Sequence, residues 1–188
     1  MSRILIAGLV GGVIVFVWGA FSHMVLPIGE MGLSTIPNED AVIAALASNI
    51  KEPGLYLYPS EGMGGEMTPE QMKAMEQKYK TGPTGLLSYR PVGGELIDPK
   101  QLGTEVLSNI LACIVAAFVL SLIPGTFGRR LLVATLLGLF AWLSISISHY
   151  NWYGFAPMYT LAEGIDQVAS FFLAGLAMGK IVPAGAMS

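Results

Sequence analysis

Residues 131–148, LLVATLLGLFAWLSISIS, run for eighteen positions without a charged side chain, with Arg129 and Arg130 before them and His149-Tyr150-Asn151-Trp152 after them. An apolar run of this length, closed by cations at one end and by amphipathic rings at the other, has the pattern of a helix crossing a bilayer. About 20 residues are needed to cross a hydrocarbon core of about 30 Å. Three further stretches repeat the pattern, at 4–26, 106–123 and 161–182. The composition agrees: 53% of the residues are hydrophobic and 12% charged, with a mean hydropathy of +0.61, whereas a water-soluble domain has about a quarter of its residues charged. The fold class expected is an all-α membrane protein of four transmembrane helices, arranged as two hairpins. A small α+β extracytoplasmic cap, residues 27–102, is inserted between helices 1 and 2. The first apolar run is longer than the hydrophobic region of a signal peptide, so it is read as a retained helix.

The basic residues set the expected orientation. Arg3 precedes the first span, Arg129 and Arg130 join the second to the third, and Lys180 closes the fourth. With an even number of spans all four fall on one face, and the excess of cations on cytoplasmic loops puts that face and both termini inside. A bacterial inner membrane is the expected location, with residues 27–102 outside. That segment holds eight of the eleven prolines and ten acidic against six basic residues, a net of −4. It also carries signs of order. Asn38 followed by Glu39 and Asp40 starts a helix with Val42, Ile43 and Leu46 on its apolar side. Thr68, Pro69 and Gln71 make a capping box that opens a second helix over Thr68 to Lys80. GLYLYP and TGLLSYRP, bounded by Gly and Pro, read as short strands.

The spans also show a faint repeat. The first reaches FVWGAFSHMVLP (16–27) and the third FAWLSISISHYNWYGF (140–155), so that the two histidines of the chain, His23 and His149, follow Phe-x-Trp near the outer end of outward-running helices. About 20 helical residues, or roughly 30 Å, separate each from its cytoplasmic arginine, which places both at the outer interface. Two hairpins in the same orientation would form a parallel repeat of the kind some transporters use. The second span begins with Glu105, Asn109 and Cys113 at steps of four, and the fourth with Glu163, Asp166, Gln167 and Ser170. Ionisable groups at membrane depth favour the bundle interior or a water-filled cavity. His23, His149, Glu105, Glu163 and Asp166 are therefore the candidate metal or cofactor ligands, for a transition metal or a bis-histidine haem, since imidazole and carboxylate suit such ions. The plainer alternative makes the histidines members of an interfacial aromatic belt, and the acids a favourable negative start to the fourth helix.

Other signals are absorbed by packing. Met72, Met75 and Tyr79 form one stripe of an amphipathic helix, although with Met63 and Met67 they would also offer soft ligands to copper. Cys113 reads as a small packing residue, and as the lone cysteine it excludes an intrachain disulfide. The Gly8-x3-Gly12 and Gly175-x3-Gly179 pairs allow close helix approach, within the bundle or against a membrane partner or second copy. No Walker motif, dinucleotide fingerprint, nucleophile elbow or CxxC is present, and the acidic outer segment argues against nucleic acid. Three functional readings follow, in this order. The first is a non-catalytic accessory or structural subunit of a membrane complex, the second a metal-, haem- or quinone-associated redox protein with its site at the outer face, and the third a small transporter.

Overall fold

The computed structural model describes residues 1–60 and 65–183; Met63 lies outside them. Four helices are long and apolar enough to cross a membrane. Helix α1 spans Ser2–Met24 and is followed by a 3₁₀ turn at Pro27–Glu30. After α2 (Glu39–Asn49), β1 (Gly54–Tyr58), α3 (Pro69–Thr81) and β2 (Gly85–Tyr89), the chain enters α4, Pro99–Ser121. The third long helix runs from Phe127 to Tyr153: α5 (Phe127–Ala141), a π-helical turn at Trp142–Ser146, and α6 (Ile147–Tyr153). Helix α7 spans Pro157–Ile181.

Two compact units divide the chain. One comprises Met1–Leu33, Glu95–Asn151 and Phe155–Ser188, the other Ser34–Gly94 with Trp152–Gly154. In the first, α1 packs on α4 and α7, and α7 also packs on α5. Neighbours run antiparallel, as shown by Gly8 against Ile114 and Gly12 against Ile110, or Gly138 against Gln167 and Gly175 against Ala134.

Small residues are inside and large ones outside. The buried cluster is Ala7, Cys113, Ala116, Ala117, Leu120, Ala134, Ala174, Met178 and Val182. Leu5, Leu9, Val13 and Val17 on α1 are exposed, as are Leu107, Leu111, Val115 and Phe118 on α4. This is the reverse of a water-soluble bundle. Lipid tails are as apolar as leucine, so nothing drives large side chains inward, and association rests on close packing of small ones. A Cβ added at Gly12 would stand 2.5 Å from Ile110 Cα, and one at Gly8 2.6 Å from Ile114 Cα. Gly175 meets Ala134 and Leu131 in the same way. Both glycine pairs are thus engaged inside the bundle, the first of the two alternatives: Gly8 and Gly12 lie against α4, Gly175 and Gly179 against α5.

The helices begin before their apolar runs. Asp98 caps α4, its carboxylate accepting from the Lys100 N–H at 2.8 Å, so the helix starts two turns ahead of residue 106. Thr126 caps α5 and accepts from the Arg129 N–H at 3.4 Å. Arg130, one of the two arginines that join the second span to the third, is 6% exposed and closes the far end of α7: its guanidinium donates to the carbonyls of Val182 at 2.9 Å and Pro183 at 3.1 Å. Those carbonyls have no partner within the helix, and a cation there also meets the negative end of the helix dipole.

In the second unit β1 and β2 pair antiparallel, Gly54 opposite Tyr89 and Tyr58 opposite Gly85, as their Gly and Pro boundaries imply. The capping box of α3 forms, with Thr68 N–H donating to Gln71 Oε1 at 2.9 Å and Gln71 N–H to Thr68 Oγ1 at 3.3 Å. Asn38 precedes α2 in the left-handed region, φ 55°, and its side chain makes no capping bond.

Two outcomes test this packing. Gly12→Ala should cost about 1–3 kcal/mol through overpacking on α4, visible as a lower Tm in detergent, whereas Gly19→Ala, where an added Cβ meets nothing within 4 Å, should leave Tm unchanged. Arg130→Gln should fray the end of α7, with hydrogen exchange of residues 178–182 speeding up while that of α4 stays as in the wild type.

Candidate functional site

The stripe of α1 that carries Gly8 and Gly12 continues through Val15, Phe16 and Gly19 to His23, but there the close approach to α4 ends. Backbone contact at Gly12 gives way to open space at Gly19. A cavity of about 580 Å³ fills the gap between α1, α4 and α7. Phe16 and Met24 from α1, Leu102 from α4 and Phe171 from α7 supply apolar wall. Its polar lining comes from His23, Glu105, Asn109, Asp166, Gln167 and Ser170, one side chain from α1, two from α4 and three from α7.

Each position follows from local structure. Steps of four put Glu105 and Asn109 one above the other on α4, and the Asn109 amide donates to Glu105 Oε1 at 3.0 Å. On α7, Asp166 accepts from the Trp18 indole N–H at 2.6 Å, a bond between helices 148 residues apart in sequence. Gln167 donates through Nε2 to Ser146 Oγ at 3.3 Å and to Glu163 Oε2 at 3.4 Å, and its Oε1 is buried without a partner. At the end of α1, His23 Nδ1 lies 3.0 Å from the Gly19 carbonyl and 2.9 Å from Ser22 Oγ, while Ser22 Oγ donates to the same carbonyl at 3.2 Å. That carbonyl only accepts, so the ring proton belongs on Nδ1 and Nε2 is left as an acceptor. Gly29 holds the ring in place: a Cβ there would stand 2.8 Å from His23 Cδ2.

His149 belongs elsewhere. It packs on Phe155, tilted by 38° at 5.2 Å between ring centroids, and lines a second cavity, of about 200 Å³, with Ser146, Tyr159 and Glu163. The π-helical turn brings it there. One extra residue per turn rotates everything after Ser146 by about 100° relative to a continuous α-helix. Trp142 anchors that turn, its indole donating to the Thr160 carbonyl at 2.7 Å and lying flush against Gly164. Glu163 faces His149 in this cavity and His23 in a smaller one shared with Asp166 and Gly29. The structure therefore gathers Glu105, Asp166 and His23 around one cavity and sets His149 in another, with Glu163 between. Among the described residues no three His, Cys, Asp or Glu side chains stand close enough together to hold a metal ion.

Sequence reasoning missed Trp18, Trp142 and Arg130 as polar partners. The signal for the tryptophans was available: an indole N–H inside an apolar span has to find an acceptor. Compared with protein-family models, with curated proteins and with solved structures, the chain matches none.

The Trp18–Asp166 bond should be measurable by a double-mutant cycle. Trp18→Phe and Asp166→Asn should each lower the unfolding free energy in micelles, with a coupling of about 1.5–3 kcal/mol, the range for a hydrogen bond to a charged group. Additive losses would show that the bond does not hold α1 to α7.

Proposed function

We propose that the chain is a non-catalytic accessory subunit of a membrane complex, anchored by its four helices and engaging its partner through the 34–94 unit. One observation carries this reading: among the described residues of that unit none is buried. Ile36, Val42, Ile43, Leu55, Met72, Tyr79 and Val92 are all exposed. An ordered unit with paired strands and a capped helix, but with its apolar side chains on the surface, is completed by apolar contact with something else. Helix α3 offers Met72 and Tyr79 on one side, a flexible thioether beside an aromatic ring, suited to a partner surface.

The orientation proposed has both termini in the cytoplasm of a bacterial cell and residues 27–102 outside its inner membrane. Its support is the collection of Arg3, Arg129, Arg130 and Lys180 at one end of the bundle. The redox reading would need His23 and His149 on one cofactor, and their separate cavities weigh against it. A transporter would need polar groups along the whole bilayer, whereas the terminal half of the bundle is the apolar cluster around Cys113, Leu120 and Met178.

The test is purification from native membranes in mild detergent, with cross-linking through the lysines of the 34–94 unit. A stoichiometric membrane partner should copurify, and Ile43→Asp combined with Met72→Glu should release it while the Tm of the bundle stays within about 2 °C of wild type, as expected for surface changes. A lone monodisperse monomer from those membranes overturns the reading.

A further inference from the structure

Beyond its role as a subunit, we infer that the cavity between α1, α4 and α7 binds a protonated amine carried on an apolar body. Its volume, about 580 Å³, falls in the range of small-molecule sites, roughly 300–1,000 Å³. The unused hydrogen-bonding capacity of the polar lining decides the ligand's chemistry. Asp166 gives one oxygen to Trp18 and Glu105 gives one to Asn109, so each keeps a carboxylate oxygen unpaired. The Asn109 amide is committed as a donor and its carbonyl oxygen is left over. His23 presents Nε2 as an acceptor, because its proton faces the Gly19 carbonyl. The cavity thus offers acceptors and two carboxylates, and no lysine or arginine lines it.

An independent observation comes from Ser170. It is 6% exposed and lines the cavity, and among the described residues its hydroxyl has no hydrogen-bond partner. A helical serine ordinarily bonds back to the carbonyl one turn earlier; the Ser170 hydroxyl does not, and it is open to the cavity instead of being sealed in the protein. A polar ligand atom in the cavity supplies the missing partner.

Among ligand classes, an anion meets two uncompensated carboxylates. Among the described residues no three clustered His, Cys, Asp or Glu side chains are available to a metal ion. A neutral apolar molecule leaves the carboxylates and Ser170 unpaired. An ammonium group has several N–H donors for those acceptors, and its charge balances the acids, while Phe16 and Phe171 take the apolar part and add ring faces for the cation.

The experiment uses the full chain in lipid nanodiscs, titrated calorimetrically with 4-phenylbutylamine, against empty nanodiscs as baseline. Uncharged 4-phenylbutanol serves as the shape-matched control. Saturable binding of the amine is expected, at least tenfold tighter than the alcohol, since one charge-assisted hydrogen bond is worth about that factor. Glu105→Gln should weaken it about tenfold and Ser170→Ala about two- to fivefold, while Val115→Ala, at an exposed position of α4 outside the cavity, should keep it. Glu105 bonds only within its own helix, so its variant reports on the cavity even if Asp166→Asn fails to fold. Equal binding of amine and alcohol, no saturable binding over empty nanodiscs, or amine binding unchanged in Glu105→Gln with an unaltered melt would each overturn the inference. The partner reading stands or falls separately on copurification.

Discussion

The bundle depends on the approach of α1 to α4 and α7 across glycine. At Gly12 the space for a single methyl group is already taken by the backbone of α4, and Gly11 lies against the Met178 thioether and Cys113. Inside a bilayer such contact is the main source of helix association, because a large apolar side chain is as well placed against lipid as against a neighbour. This is why the large residues of all four helices look outward. It is also why the buried apolar interior, among the described residues, is mostly Ala, Gly and one Cys, with Leu120, Met178 and Val182 as its larger side chains.

The same constraint makes the cavity. Glycine and alanine zip α1 to α4 only over their terminal halves. From Val15 onward the stripe carries larger or polar groups, and the helices separate until an added Cβ at Gly19 would touch nothing. Polar groups that face space opened this way between apolar helices satisfy one another or a ligand. The Trp18–Asp166 bond spans one side of it and the Asn109–Glu105 pair lines another. Among the described residues, one oxygen each of Asp166 and Glu105 and the Ser170 hydroxyl stay without a protein partner there.

On the third long helix the controlling feature is the π-helical turn. Ser144 bonds back to the Phe140 carbonyl at 2.8 Å, Trp142 reaches across to Thr160, and the extra residue turns His149 toward Phe155 and Tyr159. The apparent repeat of Phe-x-Trp and Ser-His in α1 and the third helix therefore has two different outcomes. Trp18 bonds a carboxylate and Trp142 a backbone carbonyl. His23 ends its helix and packs on a 3₁₀ turn, whereas His149 sits within its helix beyond a change of winding.

Length and hydropathy determined the four long helices, because each one's need to satisfy its backbone inside lipid is met locally and leaves its mark in a continuous apolar run. Capping chemistry likewise determined α3, since Thr68 and Gln71 act within a single turn, and the Gly and Pro boundaries marked the strand pair. The polar stripes at Glu105 and Asp166 were legible as stripes. Only the tertiary structure decided that they meet His23 and not His149, that both glycine pairs are covered internally, and that Arg130 closes α7 instead of facing water. Those outcomes rest on which helix lies beside which and on a one-residue change in winding, and neither is encoded in the periodicity of any single segment.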